Sequence, residues 1–267
     1  TANARRVQES LRVLEEFAKL SDSALTIKPL KLEQARFLIY ELEQKILFKI
    51  LRREIAGRLS GLYLIIDTKA LAGRNEIEVA TQAIQGGANV IQLRDKQHTK
   101  TELLEMSRKL RQVSAEKEVL FIINDYLDIA EACGADGVHL GQGDLSITEA
   151  RPLISPDKII GFSTHTLQEA VMAESEGADY IAVGSIYPTT SKEGYSLAGI
   201  ETLQQIREKT TLPLIAIGGI NNRNAEYVME AGADGIAVIS AVLGAEDVER
   251  AARELTTKIE RAGSENE

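Results

Sequence analysis

Val90-Ile-Gln-Leu-Arg-Asp-Lys96 is the stretch of this 267-residue chain with the clearest capacity for chemistry. Read at the two-residue period of a strand, Val90, Gln92, Arg94 and Lys96 share one face, and Ile91, Leu93 and Asp95 the other. Two cations with an amide behind them suit an anion rich in oxygens, such as a diphosphate. Arg grips such a group with a planar fork, while Lys acts as a mobile point charge. The competing reading is a strand that runs out into a solvated charged turn.

Further polar clusters follow short apolar runs in the same manner. They are Asn124-Asp125, His139-Leu-Gly-Gln142-Gly-Asp144, Ser163-Thr-His165-Thr, Pro188-Thr-Thr-Ser-Lys192, Gly218-Gly219 and Ile239-Ser240. Asp125 and Asp144 offer two carboxylates without Cys or clustered imidazole. That donor set suits a hard cation such as Mg²⁺, which commonly joins one or two carboxylates to substrate phosphates. The alternative is that each Asp caps the helix that follows it. Gly218-Gly219 and Ser240 suit a phosphate site built from backbone N–H groups and a short helix start, and a doubled glycine favours close approach to a ligand. Tight turns are the alternative there. His139 and His165 are expected to be structural or to touch substrate rather than to act as acid or base. His98 is expected on the surface without a partner, and Cys133 as buried packing. No nucleophile elbow is present.

The elements that must position these clusters are legible from periodicity. Eight apolar runs lie at 62–66, 89–93, 119–123, 137–140, 159–162, 180–183, 213–217 and 235–239, separated by amphipathic segments. Nearly continuous apolar strands between helices indicate a parallel sheet covered on both faces. A four-fold echo reinforces this: Gly87-Ala-Asn89, Gly134-Ala-Asp136, Gly177-Ala-Asp179 and Gly232-Ala-Asp234 each end a helix and open a strand. The expectation is an α/β fold, a (β/α)8 TIM barrel whose chemistry collects at the C-terminal strand ends. A doubly wound open sheet is the alternative, but no G-x-G-x-x-G follows the first run. Residues 1–58 read as an all-α extension, with Val7, Leu11, Leu14 and Ala18, then Leu38, Leu42, Ile46 and Ile50, at helical spacing. Ser21-Asp-Ser23 and Lys28-Pro29 interrupt them. The barrel domain is expected over 59–267.

Composition narrows the function classes. Hydrophobic content of 44% and charged content of 27% are those of an ordinary globular protein. Net charge is −9, with 12 Lys+Arg against 8 Asp+Glu over residues 1–58 and 19 against 32 in the rest. So acidic a main body argues against nucleic acid as partner. The apolar runs are too short to span a bilayer, and no signal-peptide pattern opens the chain. One cysteine excludes an internal disulfide and fits a cytoplasmic compartment. The chain opens at Thr1, compatible with residues missing upstream. The sequence allows a homo-oligomer without requiring one.

Seven of these clusters, in this order, resemble the thiamine-phosphate synthase family over residues 61–262. The family's Q-x-R-x-K, N-D, H-x-G-Q-x-D, S-x-H-T, P-T-x-T-K, G-G-I and I-S look like Gln92–Lys96, Asn124-Asp125, His139–Asp144, Ser163–Thr166, Pro188–Lys192, Gly218–Ile220 and Ile239-Ser240. One departure is Ser191, where the pattern has Thr. The segment 6–16 is similar to an extension on some bacterial members. The resemblance implies a Mg²⁺-dependent alkyl transfer between two small molecules, hydroxymethylpyrimidine diphosphate and hydroxyethylthiazole phosphate, giving thiamine phosphate and diphosphate. It implies that Gln92, Arg94, Lys96, Asn124, Ser163 and Lys192 hold the pyrimidine diphosphate. Thr189, Thr190, Ser191, Gly219, Ile239 and Ser240 would hold the thiazole phosphate, and Asp125 and Asp144 the metal. Arg94, Lys96 and Lys192 would be the catalytic cations, stabilising the charge of the departing diphosphate. Two competing readings are a thiazole tautomerase on a similar barrel, which lacks the paired Asp residues and the full Q-x-R-x-K, and a non-catalytic barrel that binds phosphorylated ligands.

Overall fold

A computed structural model of the chain describes residues 2–20, 28–189 and 196–264. Contacts divide the chain into two units, Thr1–Arg52 and Arg53–Glu267. The first holds α1 (Ala2–Ala18) and most of α2 (Pro29–Ala56). Pro29 stands at the first position of α2, where its missing N–H costs nothing. Ser21-Asp-Ser23 lies outside the described residues. Glu15 of α1 is buried and ion-paired both to Lys19, at 2.8 Å, and to Arg36 of α2, at 3.3 Å.

The division falls inside α2, whose last turn belongs with the sheet. Ala56 and Leu59 are 2% and 1% exposed and pack beneath Tyr63, Val90, Leu120 and Ile159. They close the floor of a barrel made of β1 (Gly61–Asp67), β2 (Ala88–Arg94), β3 (Leu120–Asn124), β4 (Gly137–Leu140), β5 (Ile159–Thr164), β6 (Tyr180–Gly184), β7 (Leu214–Ile217) and β8 (Gly235–Val238). The strands pair in parallel in chain order, and β1 closes on β8. Closure removes the open-sheet alternative and leaves no edge strand exposed. Helices α3 (Glu76–Gln85), α4 (Lys100–Glu116), α5 (Leu127–Cys133), α6 (Ile147–Ala150), α7 (Leu167–Glu176), α8 (Gly199–Arg207) and α9 (Ala225–Glu230) follow β1 to β7. After β8 come α10 (Ser240–Leu243) and α11 (Val248–Ser264).

The strands are apolar over most of their length because both faces are buried. Leu62, Leu64, Ile66, Ile91, Leu93, Phe121 and Ile123 meet the helices, while Tyr63, Ile65, Val90, Leu120, Ile122, Tyr180 and Ile215 fill the interior. The glycine echo has a physical basis at each repeat. Gly87, Gly134, Gly177 and Gly232 have φ of 100, 70, 96 and 101°, the left-handed turn a side chain disfavours. The following Asp136, Asp179 and Asp234 each accept from a backbone N–H within the first two residues of the neighbouring strand, at Phe121, Ile160 and Leu214, and from Arg111, Arg151 and Arg207. These carboxylates satisfy strand starts at the N-terminal end, so the N-terminal end carries architecture and the C-terminal end is left for binding. Among the described residues, no helix is long and apolar enough to cross a membrane.

The floor predicts a stability effect. Leu59→Ala should lower unfolding free energy by roughly 2–5 kcal/mol, the range for deleting a buried leucine side chain. Urea denaturation of the full chain measures it, and an unchanged midpoint would show that the barrel floor does not depend on this side chain.

Candidate active site

At the C-terminal mouth the barrel opens into a cavity of about 740 Å³. Its lining includes Gln92, Arg94, Lys96, Asn124, Asp125, Asp144, Ser163, Thr189, Gly219, Ile239 and Ser240, so residues from separate strand ends meet around one space. Thr190, Ser191 and Lys192 lie outside the described residues. Period two explains the inward set: along β2, Val90 sits low in the interior, Gln92 above it and Arg94 at the rim. Gln92 is 2% exposed and donates from Nε2 to Asn124 Oδ1 at 3.2 Å. The two amides therefore fix each other.

The rim cations are held by carboxylates. Arg94 Nη1 donates to Asp67 Oδ2. Asp67 ends β1 on the inward face and also accepts from the N–H groups of Lys69 and Ala70, at 3.0 and 3.1 Å. The alternation Tyr63, Ile65, Asp67 is the signal in the sequence that puts this carboxylate on the inward face. Lys96 Nζ donates to Asp125 Oδ2, which raises the lysine's pKa and keeps it charged. Asp95 points away from the cavity, 3% exposed, and anchors the loop behind the cations. It accepts from Thr68 Oγ1 and from the N–H groups of Gln97 and His98, at 3.3 and 3.0 Å. The expectation of an unpartnered His98 is corrected: its ring is exposed, but Nδ1 lies 2.8 Å from Asp95 Oδ1. The cause is the Asp-initiated turn, which folds the residue three positions on back over the carboxylate.

Neither acidic residue caps a helix. The N-cap position of α5 is Tyr126, which makes no side-chain cap, and α6 is capped by Ser146 in a box with Glu149. Asp125 instead has φ of 64°, a left-handed conformation that Asp tolerates at a cost, and its N–H is fixed by His139 O at 2.9 Å. Asp144 Oδ2 accepts from Gly141 N at 2.7 Å across a short turn. The two carboxylates line the same side of the cavity and act on each other electrostatically. Burial, and then the Asp125 carboxylate beside it, raise the pKa of Asp144, while Gly141 N–H and Lys96 oppose the rise. A like-charged pair at a cavity mouth fits a hard divalent cation, which removes the repulsion. Among the described residues no group of three or more His, Cys, Asp or Glu could hold a metal. A cation here would complete its shell with water and ligand oxygens, the usual habit of Mg²⁺.

His139 is 8% exposed, with Nδ1 3.0 Å from Tyr180 Oη and Nε2 2.9 Å from Ser163 Oγ. His165 lines the cavity, with Nδ1 3.2 Å from Glu169 Oε2. Gly218 and Gly219, with φ of 99 and 66°, need to be glycine for a reason other than a ligand. A Cβ at Gly218 would lie 2.0 Å from Ser185 Oγ, and one at Gly219 would lie 2.6 Å from Pro188 O. The doubled glycine lets the loop after β7 pass against the one after β6, and both residues line the cavity. Cys133 is buried, and desolvation raises its pKa, so it is packing.

Residues 62–242 match the family described as thiamine monophosphate synthase, and residues 1–45 match the ThiD2 family. A thiamine-phosphate synthase of Shouchella clausii is 46% identical over 202 residues, covering 75% of this chain and 97% of that protein. One of Synechocystis sp. is 40% identical over 260 residues, 97% of this chain and 73% of that protein, so the likeness runs through the N-terminal helices. A solved thiamine phosphate pyrophosphorylase from Pyrococcus furiosus matches at 42% identity and a TM-score of 0.72, covering 78% of this chain and 98% of that one.

The loop anchor has a pH signature. Hydrogen bonding to Asp95 raises the pKa of His98 above its ordinary 6.5. The pair's contribution is therefore complete at pH below the unfolded imidazole value and is lost as pH rises through the folded one. In Asp95→Asn the His98 midpoint should fall back toward 6.5. Proton NMR of the His98 ring reads this; an unmoved midpoint would dissociate His98 from Asp95.

Proposed function

The chain belongs to the thiamine monophosphate synthase family, and we propose that it transfers a hydroxymethylpyrimidine group from its diphosphate to the ring nitrogen of hydroxyethylthiazole phosphate. The products are thiamine phosphate and diphosphate. The observation that carries this reading is the meeting of two cations and two carboxylates, Arg94, Lys96, Asp125 and Asp144, at the mouth of one cavity.

In this reading the carbon–oxygen bond to diphosphate breaks with its electron pair leaving on the diphosphate, the aminopyrimidine spreads the charge of the resulting methylene cation, and the thiazole nitrogen then bonds to that carbon. Both reacting groups come from the ligands, so no protein nucleophile is required. Arg94, oriented by Asp67, and Lys96, oriented by Asp125, would hold the diphosphate and gain strength as its charge grows. Lys192 would join them. Asp125 and Asp144 would hold Mg²⁺, which when bound supplies positive charge to the diphosphate oxygens. Gln92, Asn124 and Ser163 would take the pyrimidine diphosphate. Thr189, Thr190, Ser191, Gly219, Ile239 and Ser240 would take the thiazole phosphate. The exclusion of water by the apolar interior below would protect a cationic pyrimidine methylene from hydrolysis. A single buried cysteine is consistent with work in the reducing cytoplasm.

The test is coupling of the two purified substrates by the full chain with Mg²⁺. Thiamine phosphate and diphosphate should appear in equal amounts, and not in EDTA; no coupling would overturn the reading. Asp125→Asn or Asp144→Asn should cut turnover by about 10²- to 10³-fold, the scale of one preorganised electrostatic contact. Lys96→Ala should lose turnover to a similar extent while thiazole-phosphate affinity holds. Normal turnover in that variant would assign the β2 cations to the wrong ligand.

A further inference from the structure

Four side chains from four strands are joined through the barrel interior, beneath the charged mouth. Tyr63 Oη lies 3.1 Å from Tyr180 Oη, Tyr180 Oη 3.0 Å from His139 Nδ1, and His139 Nε2 2.9 Å from Ser163 Oγ. The tyrosines are 2% and 0% exposed. The barrel makes room for the Tyr180 ring at one specific place: a Cβ at Gly161 on β5 would lie 1.9 Å from its Cζ and 2.4 Å from its Oη. The phenol therefore reaches the imidazole because the neighbouring strand carries no side chain there.

By distance alone, Ser163 and His139 look like a nucleophile and its base. The rest of the row decides otherwise. It has two proton arrangements. In one, Tyr63 donates to Tyr180, Tyr180 to Nδ1 and Nε2–H to Ser163, so the Ser163 hydrogen is free to enter the cavity. In the other, Ser163 donates to Nε2, Nδ1–H to Tyr180 and Tyr180 to Tyr63, so the Tyr63 hydrogen is left over. Among the described residues, Tyr180 is the hydrogen-bond partner of the Tyr63 hydroxyl. Both ends of the row border the cavity, but the second arrangement would turn its surplus donor into the apolar floor around Tyr63, 2% exposed, whereas the first turns it to Ser163, nearer the polar mouth.

We propose that Tyr180 is a positioning residue that holds His139 as the Nε2–H tautomer, so that Ser163 donates its hydroxyl hydrogen to the bound pyrimidine diphosphate. This deepens the functional reading above and rests on it for the identity of the ligand alone. An imidazole held in this way takes no proton from Ser163, so the serine is a donor to the ligand and not a nucleophile.

The full chain holds three histidines, so ring ¹⁵N spectra of histidine-labelled protein, taken where imidazole is neutral, resolve each one. His139→Gln assigns the signal. The wild type should show Nδ1 unprotonated and Nε2 protonated. Tyr180→Phe should shift the Nδ1 resonance and raise the Nδ1–H population, whereas Tyr63→Phe should leave the tautomer as it is. In turnover, Tyr180→Phe should lower kcat/KM for the pyrimidine diphosphate roughly tenfold, the scale of one hydrogen bond, and leave KM for the thiazole phosphate within about twofold. In Ser163→Ala the added loss from Tyr180→Phe should vanish, because both changes remove the same donation. Fully additive losses would make Tyr180 a packing residue and overturn the proposal. So would an Nδ1–H wild type, a result that needs no variant to fold. The spectra need no turnover: an active wild type with Nδ1–H sinks the proposal alone. The expected tautomer in a chain that couples nothing supports the tautomer assignment and sinks the functional reading.

Discussion

Eight parallel strands closed on themselves have an inside and an outside, and the alternation of side chains assigns every second residue to one or the other. The remaining features of the barrel unit follow from that constraint. The outward set must meet helices and the inward set must fill a narrow space, so both are apolar over most of each strand. Polarity is admissible only where the inward set nears the mouth. The gradient is visible along single strands: Val90, Gln92, Arg94 and Lys96 on and after β2; Leu120, Ile122 and Asn124 on β3; Tyr63, Ile65 and Asp67 on β1. Leu59 closes the bottom, so the cavity opens in one direction. A ligand entering it meets charge first, then amides, hydroxyls and imidazole, and then hydrocarbon.

The charges at the mouth are arranged before any ligand arrives. Asp67 and Asp125 restrain Arg94 and Lys96, and Asp95 ties the loop between them to Thr68 and His98. Preorganised dipoles and charges need little rearrangement as a leaving group gains charge, which is where electrostatic catalysis draws its strength. The acidic pair is the opposite case. Asp125 adopts a left-handed backbone and lies against Asp144, whose ionised form burial disfavours. Such an arrangement is destabilising by itself, and local destabilisation at a cavity mouth is characteristic of sites completed by a ligand or an ion.

The sequence made the barrel legible because periodicity reports burial directly. All eight apolar runs fall on strands, within a residue or two of their ends, and the repeated Gly-Ala followed by Asn or Asp marks real helix-to-strand turns. The face assignment of Gln92 and Arg94 follows from the same alternation and agrees with the cavity lining. What escaped were partnerships. Asp67 is one acidic residue at the end of an apolar run, and its tie to Arg94 depends on β1 pairing with β2 in register. The task of Asp95 as a loop anchor, and hence the partner of His98, needed the turn in three dimensions. The row from Tyr63 to Ser163 joins residues up to 117 apart in sequence and was not readable from spacing. The contact of the glycines after β7 with the adjacent loop likewise depends on the fold and cannot be read from their spacing.

The central claim is that Asp125 and Asp144 form half of a cation site whose other half is the diphosphate. Calorimetric titration of the full chain with Mn²⁺, with and without saturating inorganic diphosphate, tests it most directly. The account predicts weak binding to the chain alone and one ion bound at least about tenfold more tightly when diphosphate is present, with Asp144→Asn abolishing the gain. Equal Mn²⁺ affinity with and without diphosphate, after correction for the metal that diphosphate binds in solution, would contradict it.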